Sequence, residues 1–213
     1  MSSWRAFCET VHTVALAIWL GVVVAAGATA AIVFPAMKAL SPRLPEYAAY
    51  DGEHWPIAGG HIMVPVFLFA DIVQFVCALL AALTLVGLLL LVKIPARRPA
   101  VILRMLALAV AIASLTSMLL IVTPRFNAAV TQFWDAAKAG DSKAAQIHKA
   151  AADDIHPLAS KLLSLTAGAV FVALIAGVRS AIAPGGNLSF APSASRPSGP
   201  RYEEPALLKG RKA

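Results

Sequence analysis

The chain has few charged residues, only two cysteines and no common catalytic motif. Asp, Glu, Lys and Arg make up 14% of its 213 residues, against about 25% in a typical soluble domain, which excludes an ordinary water-soluble protein. Cys8 and Cys77 form no CxxC pair, so a disulfide framework is excluded and thiol redox chemistry is not expected. A P-loop and the GxGxxG, GxSxG and HExxH motifs are also missing. The sequence therefore predicts a non-enzymatic protein.

Hydrophobic residues, which form 59% of the chain, gather in long runs. A membrane-spanning helix needs about 20 mostly apolar residues, and four segments meet this requirement: 11–34, 62–92, 100–123 and 158–179. Pro35 and Pro124 are expected to end the first and third. The sequence therefore predicts an all-α integral membrane four-helix bundle over residues 1–183, with the lipid bilayer as its main partner.

The first apolar run also has features of a signal peptide. It follows Arg5 and contains Ala28-Thr29-Ala30, which resembles a cleavage site. The run is nevertheless longer than the usual apolar region of about 7–15 residues. We therefore expect the first helix to be retained, and cleavage is the alternative.

Basic residues lie at the ends of the apolar runs, which explains the net charge of +7 without nucleic-acid binding. More Lys and Arg lie on the side of the two termini than on the opposite side of the bilayer. Arg5, Arg104 and Arg179 are counted on the side of the termini. The positive-inside rule therefore predicts cytoplasmic termini, and the alanine-rich composition suits a bacterial inner membrane. Residues 184–213 are rich in Pro, Ser and Gly and are predicted to form a disordered cytoplasmic tail.

The connection between the third and fourth runs is predicted to be helical and extramembrane. Two short amphipathic helices are expected within 126–155, separated by Gly140 and capped by Asp141. The apolar stripe of the first is Phe126, Val130, Phe133, Trp134 and Ala137, and that of the second is Ala144, Ile147, Ala151 and Ile155.

Small residues recur at four-residue spacing in all four runs, and such ridges let helices approach closely in lipid. They predict a compact bundle, and they offer contacts for a second copy or another membrane protein. The ridges are Ala17, Gly21, Ala25 and Thr29; Ala78 and Ala82; Ala109, Ala113 and Ser117; Ala169, Ala173 and Gly177.

Asp71 and Gln74 form the most informative polar pair, three residues apart on one helix face. The run 62–92 is about 46 Å long as a helix, which exceeds the ~30 Å hydrocarbon core. If the helix enters the membrane near Ile62, Asp71 is deep and marks a functional site. Otherwise it lies at the interface and pairs with Arg125 or Lys161, and we expect this ion pair. The deep position supports the alternative of a transporter.

Histidines and carboxylates collect on the predicted outer face, chiefly His61, His148, Asp153 and His156. Such groups can bind a transition metal, and His61 with His156 could hold a b-type haem. None of these groups has the spacing of a dedicated metal site, so no cofactor is expected. Metal handling and haem redox chemistry are the alternatives.

His12, at the other end of the bundle, is expected to form a hydrogen bond with Glu9. The leading interpretation is a small membrane protein acting in interaction, assembly or accessory transport.

Two stretches carry a family resemblance: His12 through Trp19-Leu20-Gly21, followed by Phe34-Pro35, and His156-Pro157-Leu158-Ala159-Ser160 with Gly177-Val178-Arg179-Ser180 after it. Up to about Ser180 the chain resembles the transmembrane protein 205-like family of small four-helix membrane proteins, although Pro157 departs from the family pattern. The family has no established catalytic activity, so the resemblance implies the architecture and no reaction. A weaker similarity of the first helix is to bacterial haem- or copper-associated membrane proteins.

The haem and metal alternatives predict a coloured or metal-containing protein. A visible absorption spectrum and elemental analysis of the purified protein test both. A Soret band that His156→Ala removes would establish the haem alternative. We expect a colourless, metal-free protein, in which His156→Ala leaves the spectrum unchanged.

Overall fold

The computed structural model describes residues 2–182, which form long helices without a β-strand in that range. The only other regular structure in that range is a 3-10 turn at Pro45–Tyr47 and a π-helical segment at Met118–Val122. The α-helices are α1 (Ser2–Leu40), α2 (Trp55–Leu90), α3 (Pro99–Ser117), α4 (Thr123–Lys138) and α5 (Ser142–Ile182).

Helix α3, the π segment and α4 follow one another without a break, so the described chain has four helical rods. Each is long and apolar enough to cross a membrane. The predicted all-α four-helix bundle is confirmed, and the chain is a multi-pass membrane protein. The predicted tail at 184–213 lies outside the described residues.

The rods pack as two pairs. Helix α1 packs extensively on α2, and α3 and α4 pack on α5. The pairs meet where α1 contacts α5 and, less extensively, where α2 contacts α3. We call the end with Ser2, the 91–98 connection and Ile182 the terminal end, and the end with connections 41–54 and 139–141 the loop end.

The shared core of the bundle contains many small side chains, as close packing in lipid requires. Its buried members come from all four rods and include Leu16, Trp19, Cys77, Ala81, Ala107, Ala111, Val170 and Ala173. The α5 ridge residues Ala173 and Gly177 are buried, whereas Ala17, Gly21 and Ala25 on α1 are exposed. The predicted ridges therefore do not all serve the bundle, and the α1 ridge faces outward.

The helices extend well beyond the predicted spans. The rods contain 36 to 41 residues, or about 54–62 Å at 1.5 Å per residue, and the bilayer core is only ~30 Å thick. Pro35 and Pro157 lie inside helices, so the prediction that Pro35 ends the first helix is wrong. A proline removes one backbone hydrogen bond, and a long packed helix tolerates that loss.

Pro124 does not end the third rod either. It lies in the first turn of α4, directly after the π segment. Its ring supplies no N–H to the preceding turn, and the wider π turn accommodates the missing bond. The predicted amphipathic helices at 126–155 are therefore continuations of the membrane rods and not separate short helices.

A second core forms at the loop end, outside the shared core. Its buried members are Tyr47, Tyr50, Ile57, Phe133, Ala137 and Ala145. Gly140 takes a left-handed conformation (φ 76°) that ends α4, and the Asp141 carboxylate accepts the Ala144 N–H at 2.9 Å. The predicted break and cap are confirmed. The second stripe is wrong, because Ala145 is buried while Ile147 is 59% exposed.

Close packing of α2 against α1 predicts that an alanine at Gly59 destabilises the protein more than an alanine at Gly21. A Cβ on Gly59 would lie 2.8 Å from the Phe34 ring, whereas a Cβ on Gly21 meets nothing within 4 Å. Both changes gain helix propensity, and only the first overpacks. We expect Gly59→Ala to be at least about 1 kcal/mol less stable than Gly21→Ala, measured by thermal unfolding in detergent. Equal stabilities would contradict the packing described for Gly59.

Candidate functional site

A cavity of about 180 Å³ lies between α2 on one side and α4 with the first half of α5 on the other. It forms because α2 packs mainly on α1, while α4 packs on α5. Ala26 of α1 and two π-segment residues, Met118 and Val122, complete the wall. Leu68 and Asn127 line the cavity and are exposed, so it opens at the bundle surface. We call it the cleft.

Gln74 links the cleft to the shared core. Its side chain is 2% exposed, and its Oε1 accepts a hydrogen bond from Trp19 Nε1 at 3.1 Å. Since an indole N–H only donates, this bond turns the amide nitrogen of Gln74 toward the cleft. There Nε2 donates to Asp71 Oδ1 at 3.4 Å. Trp19 thus orients Gln74, and Gln74 orients Asp71.

Asp71 lies near the middle of α2 and lines the cleft. Exposed apolar side chains continue along α2 on both sides of it, from Ile62 to Leu90. Asp71 therefore interrupts an apolar surface of α2, and its depth in the bilayer stays a prediction.

The predicted ion pair of Asp71 with Arg125 or Lys161 is not formed. Among residues 2–182 the ion pairs are Arg104–Glu9, Lys138–Glu46 and Lys149–Asp153. Arg125 and Lys161 are exposed and do not line the cleft. Their neighbours Phe126 and Ser160 do line it, because successive residues of a helix point about 100° apart.

The structure gives the two predicted haem histidines different surroundings. His156 lines the cleft, near Phe126 at a ring-centroid distance of 6.5 Å. His61 stacks on Trp134 at 4.0 Å, and its Nε2 lies 3.1 Å from Tyr47 Oη. Burial, with the carboxylates of Glu46 and Asp135, raises the pKa of Tyr47, so the phenol keeps a proton that it can donate to His61.

The other members of the predicted outer cluster lie apart from the cleft. Asp153 pairs with Lys149 at 2.7 Å on the exposed side of α5, and His148 is half-buried on the same helix. In the described part of the chain no three His, Cys, Asp or Glu side chains are grouped as metal ligands would be. The haem and metal alternatives stay predictions.

A buried polar network at the terminal end differs from what the sequence predicts. Arg104 is fully buried. Its Nε donates to His12 Nε2 at 3.0 Å, and its Nη1 donates to Glu9 Oε2 at 2.9 Å and Ser180 Oγ at 3.3 Å. We call these contacts the Arg104 network. The predicted Glu9–His12 bond is wrong, because Arg104 bonds both residues.

His12 extends the network to α2, the one rod that Arg104 itself does not bond. Its Nδ1 lies 3.0 Å from the Ala81 carbonyl oxygen and 3.1 Å from Thr84 Oγ1. An arginine nitrogen only donates, so Nε2 of His12 accepts and the proton is on Nδ1, which donates to Ala81. Both ring nitrogens are therefore used, and α1, α2, α3 and α5 are tied together.

The sequence contained one signal for this network. Arg104 lies inside an apolar run, and a charge there requires a partner. The prediction of cytoplasmic termini counts Arg104 as a free positive charge near the termini. Its pairing with Glu9 removes it from that count, and the cytoplasmic orientation stays a prediction from the remaining basic residues.

Removal of Arg104 is expected to destabilise the bundle strongly. Arg104→Ala leaves the half-buried Glu9 and the buried His12 without their partner, and breaking a buried pair from one side costs about 3–5 kcal/mol. Arg97→Ala is the control, because Arg97 is exposed at the same end and such changes cost less than about 0.5 kcal/mol. Unfolding of both variants in detergent gives the comparison, and equal stabilities would contradict the network's role.

Comparison with known proteins gave no relationship: no family model, no curated protein and no solved structure matches the chain. The resemblance to the transmembrane protein 205-like family therefore stays a prediction.

Proposed function

We propose that this membrane protein is non-enzymatic and binds a small, mostly apolar molecule in the cleft, as a carrier or an accessory to transport. The observation that carries the proposal is a mostly apolar cleft in which a few polar side chains converge, namely Asp71, Gln74, Thr123, Asn127, His156 and Ser160. Binding sites for small molecules commonly combine apolar walls with a few placed polar groups.

The size and position of the cleft support this proposal. An engineered cavity of about 150 Å³ binds benzene, so about 180 Å³ suits a ligand with a single ring or a short chain. The cleft opens at the bundle surface beside Leu68 of α2, whose exposed side chain gives the entrance an apolar rim. The π segment beside it is a further support, because single π turns are frequent at functional sites.

The exposed α1 ridge supports a second, independent proposal, namely that this face contacts another copy of the chain or another membrane protein. Ala17, Gly21 and Ala25 are exposed, and nothing lies within 4 Å of a Cβ at Gly21. Small residues at this spacing favour close helix pairing in lipid. A bacterial inner membrane location with cytoplasmic termini completes the proposal and rests on composition and charge.

Filling the cleft is expected to prevent ligand binding. Ala159 lines the cleft and is half-buried, whereas Ala128 is exposed on α4 and does not line it. A ligand that binds only the folded state stabilises it by about 2.7 kcal/mol at a hundredfold excess over its dissociation constant. We expect neopentylbenzene to raise the unfolding temperature of the wild type and of Ala128→Phe, but not that of Ala159→Phe.

This measurement separates cleft binding from general partitioning into the apolar surface. Equal stabilisation of the two variants would show that the hydrocarbon binds elsewhere. A wild type that binds neither neopentylbenzene nor a charged analogue of the same shape would also overturn the proposal.

A further inference from the structure

We propose that the cleft selects a lipophilic cation, whose ammonium group pairs with Asp71 while its apolar body occupies the cleft. The inference rests on the proposed function, since it names the ligand class of the same site. Three properties of the cleft support it: the sign of its charge, the incomplete bonding of Asp71, and the chemistry of its walls.

The only permanent charge in the cleft is negative. Asp71 is its only carboxylate, no Lys or Arg is among the lining residues, and His156 is the only other titratable side chain there. Arg104, the buried arginine of the bundle, is paired with Glu9 at the terminal end. A bound anion would thus face a carboxylate without a compensating cation, whereas a bound cation meets its complement.

The bonding of Asp71 leaves room for a further partner. Its Oδ1 receives one long hydrogen bond, 3.4 Å from Gln74 Nε2, and its Oδ2 receives none from the residues that the structure describes. A carboxylate in apolar surroundings is costly unless it is paired and hydrogen-bonded. An ammonium ligand would supply the missing charge, and a neutral hydrocarbon of the same shape would not.

The walls suit the rest of such a ligand. Phe67 and Leu163 contribute apolar surface, and Phe126 adds a second aromatic ring. Aromatic rings attract cations placed over their faces. An ammonium attached to one ring or a short chain therefore finds both an ion pair and apolar contacts in the same cleft.

Three probes of one shape and different permanent charge test the inference: benzyltrimethylammonium, neopentylbenzene and benzylsulfonate. Their dissociation constants are measured on the full-length protein in one detergent, for the wild type, Asp71→Asn and the control Asp154→Asn. Asp154 is exposed and does not line the cleft, so the control makes the same chemical change outside the site.

We expect Asp71→Asn to weaken benzyltrimethylammonium binding at least tenfold, which corresponds to about 1.4 kcal/mol, and to change neopentylbenzene binding less than threefold. Asp154→Asn is expected to change neither. In the wild type alone, the sulfonate is expected to bind most weakly, and this ranking provides a test even if Asp71→Asn does not fold.

Two failures are distinguishable. If neopentylbenzene binds in the cleft but Asp71→Asn leaves cation binding unchanged, or if the sulfonate binds as tightly as the ammonium, the charge selectivity is refuted and the proposed function stands. If the wild type binds none of the three probes, both proposals fail.

Discussion

The packing of the four rods depends on the need to pair one buried charge. Arg104 lies in an apolar run, where an unpaired guanidinium would be very costly. It bonds Glu9 and His12 of α1 and Ser180 of α5, and His12 passes the connection to the Ala81 carbonyl of α2. Lipid provides no hydrophobic drive between helices, so directional bonds of this kind determine which helix faces meet at the terminal end.

The loop end is held by a different kind of interaction. There aromatic side chains are buried, with Phe133 of α4 and Tyr50 of the 41–54 connection in edge-to-face contact at 6.1 Å. His54 fastens the 41–54 connection, because its Nδ1 accepts the Leu44 N–H and its Nε2 donates to the Tyr50 carbonyl oxygen. The connection is thus an ordered layer that packs on α4.

Fixing both ends explains how a cleft persists between them. Helix α2 is held by His12 contacts at the terminal end and by the loop-end core through Ile57. Between these points α2 and α4 have different main partners, α1 and α5. The gap that remains contains Asp71, whose orientation comes from the core through Trp19 and Gln74. The site is therefore an outcome of the packing at the two ends.

Local features of the sequence determined the fold class and the number of membrane-spanning rods. Long apolar runs predict spans because transfer into lipid is nearly a sum over single residues, and Gly140-Asp141 predicts a helix break because turn and cap preferences are local. The helix ends at prolines were wrong, since packing along a long rod compensates for one lost hydrogen bond. The Asp71–Gln74 pair was found from its spacing alone.

Only the tertiary structure decided which polar groups meet. Arg104 and Glu9 are 95 positions apart in the chain, and Trp19 and Gln74 are 55 apart. No local pattern encodes such contacts, since they depend on how each rod is rotated against its neighbours. The same rotation turned Phe126 into the cleft and Arg125 away from it.

The sequence by itself determined four apolar helices and a polar pair on the second. Tertiary packing decided that this pair faces a cleft and that the buried arginine is bonded elsewhere, because distant faces must satisfy one another's polar groups in a medium without water.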